Sequence, residues 1–319
     1  MIFAPTKLHI PDGFLSIPVA IVGWVLAILM IGLALRQTNR QMGERQIPLM
    51  GILAAFIFAA QAINFPVAAG TSGHLLGGAL AAIVMGPWAA TLIMTAVIAM
   101  QGLLFQDGGL VVMGWNILNM GVFTAFTGYA VYSFAMRMFG QTRMARLGGA
   151  FAGAWISVVV GAIATAFELA LSGTTPLNLG LPAMAGVHAL IGVGEGIITI
   201  GAVSFLMMSR PGILKQAEIA PGRRGANLMV GGLLLAVLVA LLSPLASANP
   251  DGLEKVAEDL GFLALGDSPS YEILPDYTIP FVENEAFTTI LAVVLGTVLM
   301  FGIAWFLGRG WTQRDSAGD

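Results

Sequence analysis

The stretch LGGALAAIVMGPWAATLIMTAVIAMQGLL, Leu76 to Leu104, decides how many times the chain reverses. A helix crosses the hydrocarbon layer with about 20 apolar residues, and this stretch is too long for one comfortable span. Gly86-Pro87-Trp88 interrupts it in the middle. Pro87 lacks an amide donor and disfavours helix at the residue before it, so the segment reads as one kinked helix or as two short ones. Working outward, further spans lie near 17–35, 47–65, 113–136, 148–171, 186–208, 228–246 and 287–307. Short cytoplasmic loops are enriched in Lys and Arg. With a hairpin at Gly86-Pro87-Trp88 and the N-terminus outside, the chain makes nine crossings. The inner side then collects Arg36, Arg40 and Arg45, then Arg137, Arg143 and Arg146, then Arg210, Lys215, Arg223 and Arg224, and finally Arg309 and Arg314. A single span over 76–104 would put the later clusters opposite the first and erase this bias. Two spans are therefore expected, in an all-α integral membrane protein of nine transmembrane helices, seven in a core and two in a C-terminal part, with the C-terminus cytoplasmic.

Composition supports a bilayer as the solvent. Hydrophobic residues make up 57% and charged ones 10%, with a mean hydropathy of +0.88, against roughly 25% charged residues in a soluble domain. The chain has no cysteine, which excludes zinc thiolates, iron–sulfur clusters and disulfides. A transition-metal site here must use nitrogen or oxygen. The chain also carries no phosphate-cradling G-x-x-x-x-G-K-[ST] run, no H-E-x-x-H and no G-x-S-x-G. A pump built on it would draw energy from a partner or an ion gradient.

The expected topology places His9, the Gly-rich Pro66–His74 loop and the Phe105-Gln106-Asp107-Gly108-Gly109 loop on the outer face. Irregular backbone at membrane depth is tolerated where protein buries it or where it lines a cavity, so these three segments read as the walls of a pocket. Ionisable residues inside the bundle are costly and usually functional. They are Glu168, and His188 and Glu195, which lie two turns apart on one helix face. The plain alternative is a buried His and Glu that satisfy neighbouring helices. Asn116 and Asn119, three apart, share a face and read either as amides that orient a histidine beside a metal or as interhelical hydrogen bonds. Methionines such as Met94 and Met120 follow no compact M-x-M spacing and read as core filler rather than Cu(I) ligands. A loop at about Ser247–Ala286 carries nine carboxylates, Asp251, Glu254, Glu258, Asp259 and Asp276 among them, and one lysine. It reads as a solvated acidic loop or as a concentrator of cations.

Five ordered motifs carry a resemblance: His9-Ile10-Pro11-Asp12-Gly13-Phe14-Leu15, Gly73-His74-Leu75-Leu76-Gly77-Gly78, Asp107-Gly108-Gly109, Asn116-Ile117-Leu118-Asn119-Met120-Gly121 and Val187-His188-Ala189-Leu190-Ile191-Gly192. Over about residues 8–212 the chain resembles the CbiM/NikM family, substrate-specific membrane components of energy-coupling-factor transporters for cobalt and nickel. Pro250-Asp251-Gly252-Leu253-Glu254 resembles the PDGLE module, similar in placement to the small companion CbiN/NikN. The implied organisation is an extension or mis-assigned start at 1–7, a metal-binding core at 8–215, a cytoplasmic linker at 216–227 and a two-helix PDGLE module at 228–319.

The resemblance implies a bacterial or archaeal cytoplasmic-membrane protein that is not itself an enzyme and holds no permanent cofactor. Its transported ligand would be Co(II) or Ni(II). Its partners would be a CbiQ/NikQ-like transmembrane coupling protein and CbiO/NikO-like ATPase subunits, with lipid around it and no nucleic acid. It also implies a planar site of four nitrogens: a terminal amine, the amide and imidazole of the next histidine, and a second histidine. Carried over, these are Leu8, His9 and His74, provided that the working chain begins at Leu8, which is the expectation here. Amine, deprotonated amide and imidazole close adjacent chelate rings suited to Ni(II), Cu(II) or Co(II), and affinity should fall with acid. Ser72, Asp107, Asn116, Asn119, His188 and Glu195 are the expected surrounding and pocket residues. A gradient-driven permease using Glu168, His188 and Glu195 as a proton relay, or a membrane metal sensor or intramembrane enzyme, are the rival readings.

Overall fold

The structure, a computed structural model, describes residues 9–43, 46–209, 223–267 and 271–315. Leu8 and the 1–7 extension, Arg45, Arg210, Lys215 and most of the 216–227 linker lie outside the described residues. The chain is helical almost throughout. Helix α1 (Ile17–Gln41) starts with Pro18 in its first turn, where no intrahelical donor is required. It buries Ala20, Gly23, Ala27 and Ala34 and leaves Ile21, Val25, Leu29 and Leu33 exposed. Small residues inward and large apolar ones outward is the arrangement of a helix that packs closely on its neighbours and faces lipid.

Helix α2 (Ile47–Gln61) leads into an irregular segment holding a minimal antiparallel pair, β1 (Phe65–Pro66) and β2 (Ser72–Gly73). Then comes the deciding stretch. Helix α3 (Gly78–Met85) stops at Gly86, whose φ of 85° and ψ of 159° are open to glycine and break the helix, and Pro87 begins α4 (Pro87–Met100). The break falls at the predicted place, but α3 is not a full-length span. Eight residues rise about 12 Å, less than half of a hydrocarbon layer of about 30 Å. The buried irregular backbone before α3 makes up the rest of its path, and protein satisfies that backbone as described below.

A π-helical turn, Gln101–Phe105, extends α4. Helix α5 (Met113–Asn116), a π-helical stretch at Ile117–Phe123 and α6 (Thr124–Phe139) form one continuous rod. Helix α7 (Arg143–Leu171) is capped by the Thr142 hydroxyl, which accepts from Ala145 N, and α8 (Leu177–Ser209) packs along it. The C-terminal part comprises α9 (Arg223–Ala240), the short α10 (Gly252–Leu260) and α11 (Glu285–Asp315). Both α9 and α11 lie against α2, and α10 lies against α8. Among the described residues, five helical segments are long and apolar enough to cross a membrane: α1, Pro87–Phe105, α7, α8 and α11.

Chain direction gives the bundle two unlike ends. The His9 loop, the 62–77 segment, the 106–112 loop and the 243–267 and 271–284 segments meet at one end. Ser72 N donates to Pro250 O at 2.8 Å, Gly109 N to Ile10 O at 2.9 Å, and the Thr174 hydroxyl donates to Phe14 O. Arg36 and Arg40 close α1 at the other end, where Arg137 ends α6 and Arg143 and Arg146 open α7.

Candidate metal centre

The N-terminal segment is seated by two side chains. Asp12 accepts hydrogen bonds from the main-chain N–H groups of Leu110, Val111 and Val112, at 3.0, 2.9 and 3.2 Å. Asn116 grips Ile10 at both main-chain groups: its Oδ1 accepts from Ile10 N and its Nδ2 donates to Ile10 O, each at 3.1 Å. The segment can approach this closely because residues 108 and 109 are glycines. A Cβ on Gly108 would sit 2.8 Å from His9 Cβ, and one on Gly109 would collide with Asp12.

This seating buries His9 to 2% exposure. Its Nδ1 lies 2.9 Å from Asp107 O and 3.3 Å from Asp107 Oδ1. Both neighbours are acceptors, so Nδ1 carries the hydrogen and donates. Nε2 is buried and has no hydrogen-bond partner among the described residues. Burial disfavours the His9 imidazolium, but the charge and hydrogen bonds of Asp107 outweigh it and hold the His9 pKa above 6.5. The same pairing holds Asp107 below 3.8 against its own burial. Behind it, the Tyr277 hydroxyl donates to Asp107 Oδ2 at 2.7 Å.

His74 comes from the irregular segment and is 6% exposed, with Nδ1 3.0 Å from Leu75 O. Its ring meets that of His9 edge to face, with centroids 5.8 Å apart and planes at 88°. The segment is anchored on both sides. Glu195 accepts from Leu76 N at 2.6 Å and from Gly77 N at 3.0 Å, so its carboxylate fastens the start of α3. Ser72 Oγ donates to Asn249 O at 2.8 Å, tying the segment to the C-terminal part. A cavity of about 70 Å³ opens between the two histidines, lined also by Asn116, Asn119, His188 and Asp251.

The predicted residues thus gather at one end, and for Asn119 and Glu195 the plainer of the two readings, hydrogen bonding to neighbouring elements, is the one the structure shows. Asn116 holds the main chain beside His9, not an imidazole. Asn119 also misses the histidines: its Nδ2 donates to Glu168 Oε2 at 2.9 Å and to Thr165 Oγ1 at 3.1 Å. Glu195 is a backbone clamp. His188 lines the cavity, with Nδ1 2.9 Å from Met184 O. No hydrogen bond among the described residues joins Glu168, His188 and Glu195 directly.

Sequence reasoning left Asp251 and Tyr277 unassigned. Asp251 is not solvated as its acidic loop suggested. It is 3% exposed, lines the cavity and caps α10 by accepting from Glu254 N at 2.7 Å. Burial, the dominant influence, pushes its carboxyl up to about 8. The signal available was Asp251-Gly252-Leu253-Glu254, an N-cap pattern with an acid three residues on. Tyr277 had no local signal at all.

Among the described residues, no three His, Asp or Glu side chains form a cluster able to hold a metal ion. Two imidazoles alone do not fill a metal's coordination shell. A chelate through the His9 amide closes a six-membered ring only through Nδ1. That nitrogen is the one held by Asp107, so the closed chelate and the Asp107 contact exclude each other.

Residues 9–213 match the family described as the cobalt uptake substrate-specific transmembrane region, and residues 226–313 match the PDGLE domain. A putative fused nickel transport protein NikMN of Archaeoglobus fulgidus is 37% identical over 305 residues, covering 95% of this chain and 98% of that one. The fused nickel transport protein NikMN of Rhodobacter capsulatus is 29% identical, with 96% and 99% covered. A crystal structure described as a truncated transition metal transporter is 31% identical, with a TM-score of 0.56, and covers 63% of this chain and 98% of its own. The chain is therefore a transport protein of the CbiM family, a cobalt-uptake substrate-specific transmembrane region joined in one polypeptide to a PDGLE domain.

Proposed function

We propose that the chain captures Ni(II) or Co(II) at the extracytoplasmic face of the cytoplasmic membrane and passes it inward as the substrate-specific component of an ATP-driven energy-coupling-factor importer. A separate transmembrane coupling protein and ATPase subunits supply the drive. The observation that carries this reading is the meeting of His9 and His74, from segments far apart in sequence, on the wall of one buried cavity. Both imidazoles are buried at that wall, and a borderline metal suits imidazole. The main-chain nitrogens of Leu8 and His9 complete a planar four-nitrogen set when Leu8 carries the terminal amine. Arg36, Arg40, Arg137, Arg143 and Arg146 at the opposite end favour that end as cytoplasmic, which puts the histidines outside. Nickel is the first metal to test, because both fused relatives above are named for it.

The deciding experiment titrates Ni(II) and Co(II) into the full chain in lipid nanodiscs. His74→Ala should abolish high-affinity binding. An unchanged Kd in that variant would overturn the site. Cellular uptake with and without the ATPase subunits tests the energy source, and equal accumulation in their absence would exclude the importer reading in favour of a gradient-driven permease.

A further inference from the structure

The C-terminal part builds one wall of the cavity beside the histidines. Asp251, Gly252 and Leu253 line it together with His9, His74 and His188. Their seating is fixed on both sides. Before Asp251 the chain is tied to the His74 segment, where Ser72 N donates to Pro250 O at 2.8 Å and Ser72 Oγ donates to Asn249 O at 2.8 Å. After Asp251 it presses on α8: a Cβ on Gly252 would sit 3.0 Å from His188 Nε2 and 2.6 Å from Ile191 Cδ1. The Asp251 side chain is held as well, since its Oδ1 accepts from Glu254 N at 2.7 Å. A carboxyl only 3% exposed is thus fixed at the cavity wall by ordered surroundings. It lies near enough to His9 and Asp107 for their charges to act on it, His9 favouring its ionised form and Asp107 opposing it. The described residues that line the cavity include no lysine or arginine.

We propose that Asp251 is a capture ligand, whose carboxylate takes hold of the incoming hydrated divalent cation and hands it to the nitrogens around His9 and His74. This rests on the metal-site reading above and adds to it an oxygen donor carried by the C-terminal part. Asp251 belongs to the loop end of the bundle, where the proposed topology lets the ion arrive, while Val158 and Gly161 from the middle of α7 also line the cavity. In the first step one carboxylate oxygen replaces one water in the ion's shell, and that water and any proton on the carboxyl leave to solvent. The cation supplies the opposite charge that a buried carboxylate requires. In the second step imidazole nitrogen replaces the carboxylate oxygen. Carboxylate and water suit hard ions, whereas imidazole suits nickel, so the ion moves toward the tighter donors. Among the described residues no three His, Asp or Glu side chains are placed to hold one ion together, which agrees with successive holds rather than joint coordination.

Nickel association and dissociation are followed by stopped-flow tryptophan fluorescence in the full chain in nanodiscs and in its Asp251→Asn, Asp251→Ser, Glu258→Gln and His74→Ala variants. Asn and Ser both keep an N-cap side chain at 251, so either variant that folds serves. Charges that line a cleft raise on-rates of oppositely charged solutes about 10- to 1,000-fold, so loss of the carboxylate should slow nickel association at least about tenfold. A ligand absent from the final complex speeds arrival and departure alike, so dissociation should slow by a similar factor and Kd should stay within about threefold. Glu258→Gln removes an exposed charge from the same helix and should leave both rates as they are. An unchanged association rate in the Asp251 variants overturns the proposal. Equal slowing by Glu258→Gln also overturns it, because the effect then belongs to the general field of the acidic segment. So does a higher Kd that comes from faster dissociation alone, the mark of a permanent ligand or a structural residue. These rates judge the proposal while His74→Ala abolishes binding; if His74→Ala binds as the wild type does, the metal site itself fails and the inference falls with it.

Discussion

Replacing Asn116 by alanine removes both hydrogen bonds that seat Ile10 next to His9, the proposed metal ligand. The two losses are unequal. Ile10 O keeps a second donor, Gly109 N at 2.9 Å, so its lost bond costs about 1 kcal/mol, the net value of an ordinary intramolecular hydrogen bond. The Ile10 N–H is left buried with no acceptor, which costs about 1–3 kcal/mol. The sum, about 2–4 kcal/mol, falls on the local order of the His9 segment, because Asp12 still ties the chain to residues 110–112. If about 2 kcal/mol of it must be recovered whenever metal holds His9 in place, the nickel Kd rises about 30-fold at 1.4 kcal/mol per decade. Titration of the full-length Asn116→Ala protein in nanodiscs reads that change. Hydrogen exchange at Ile10 should accelerate together with it. A Kd within threefold of wild type, with Ile10 still protected, would refute the idea that the amide presents His9 by holding its neighbour's main chain.

Glu195→Ala should leave the Leu76 and Gly77 amides without their carboxylate acceptor, speeding exchange at both and lowering the thermal midpoint. Unchanged exchange at these two amides would show that the clamp is not what orders the His74 segment. Asp251→Asn keeps a good N-cap residue and removes a carboxyl whose folded pKa of about 8 lies above its ordinary 3.8. The folded state therefore binds the extra proton, and the stability tied to it is present below about pH 4 and lost as pH rises through 8. Thermal midpoints of the metal-free protein should fall less between pH 5 and 9 in Asp251→Asn than in wild type, and parallel profiles would contradict the buried carboxyl.

Much of this was legible in the sequence because it depended on local chemistry. Gly86-Pro87 marked a helix break without reference to anything else in the fold, and the break is there. Gly-rich segments near His9, His74 and Asp107 marked places where backbones could approach, and the glycines at 108 and 109 do admit the N-terminal segment. Hydropathy alone did not reveal that α3 is half-length, because the apolar run begins at Leu76 and continues past the break to Leu104. Helical spacing placed His188 and Glu195 on one face but could not say what each would meet. Glu195 found amides of the 62–77 segment, 118 and 119 positions away in sequence. The acidic loop misled for a related reason: average charge describes most of its carboxylates, and Asp251 differs only because α10 carries it against α8.

The contacts made by the C-terminal part fall on the residues that flank both histidines. Asn249 and Pro250 accept from Ser72, two residues before His74, while Tyr277 donates to Asp107, the partner of His9. A metal ion entering or leaving a cavity closed on these sides must pass where the loops part. Any separation of the 62–77 and 106–112 segments therefore strains bonds made by Asn249, Pro250 and Tyr277. Covalent attachment keeps those residues at high effective concentration beside the loops. The fused architecture thereby ties the segments that carry His74 and Asp107 to the same C-terminal part of the chain.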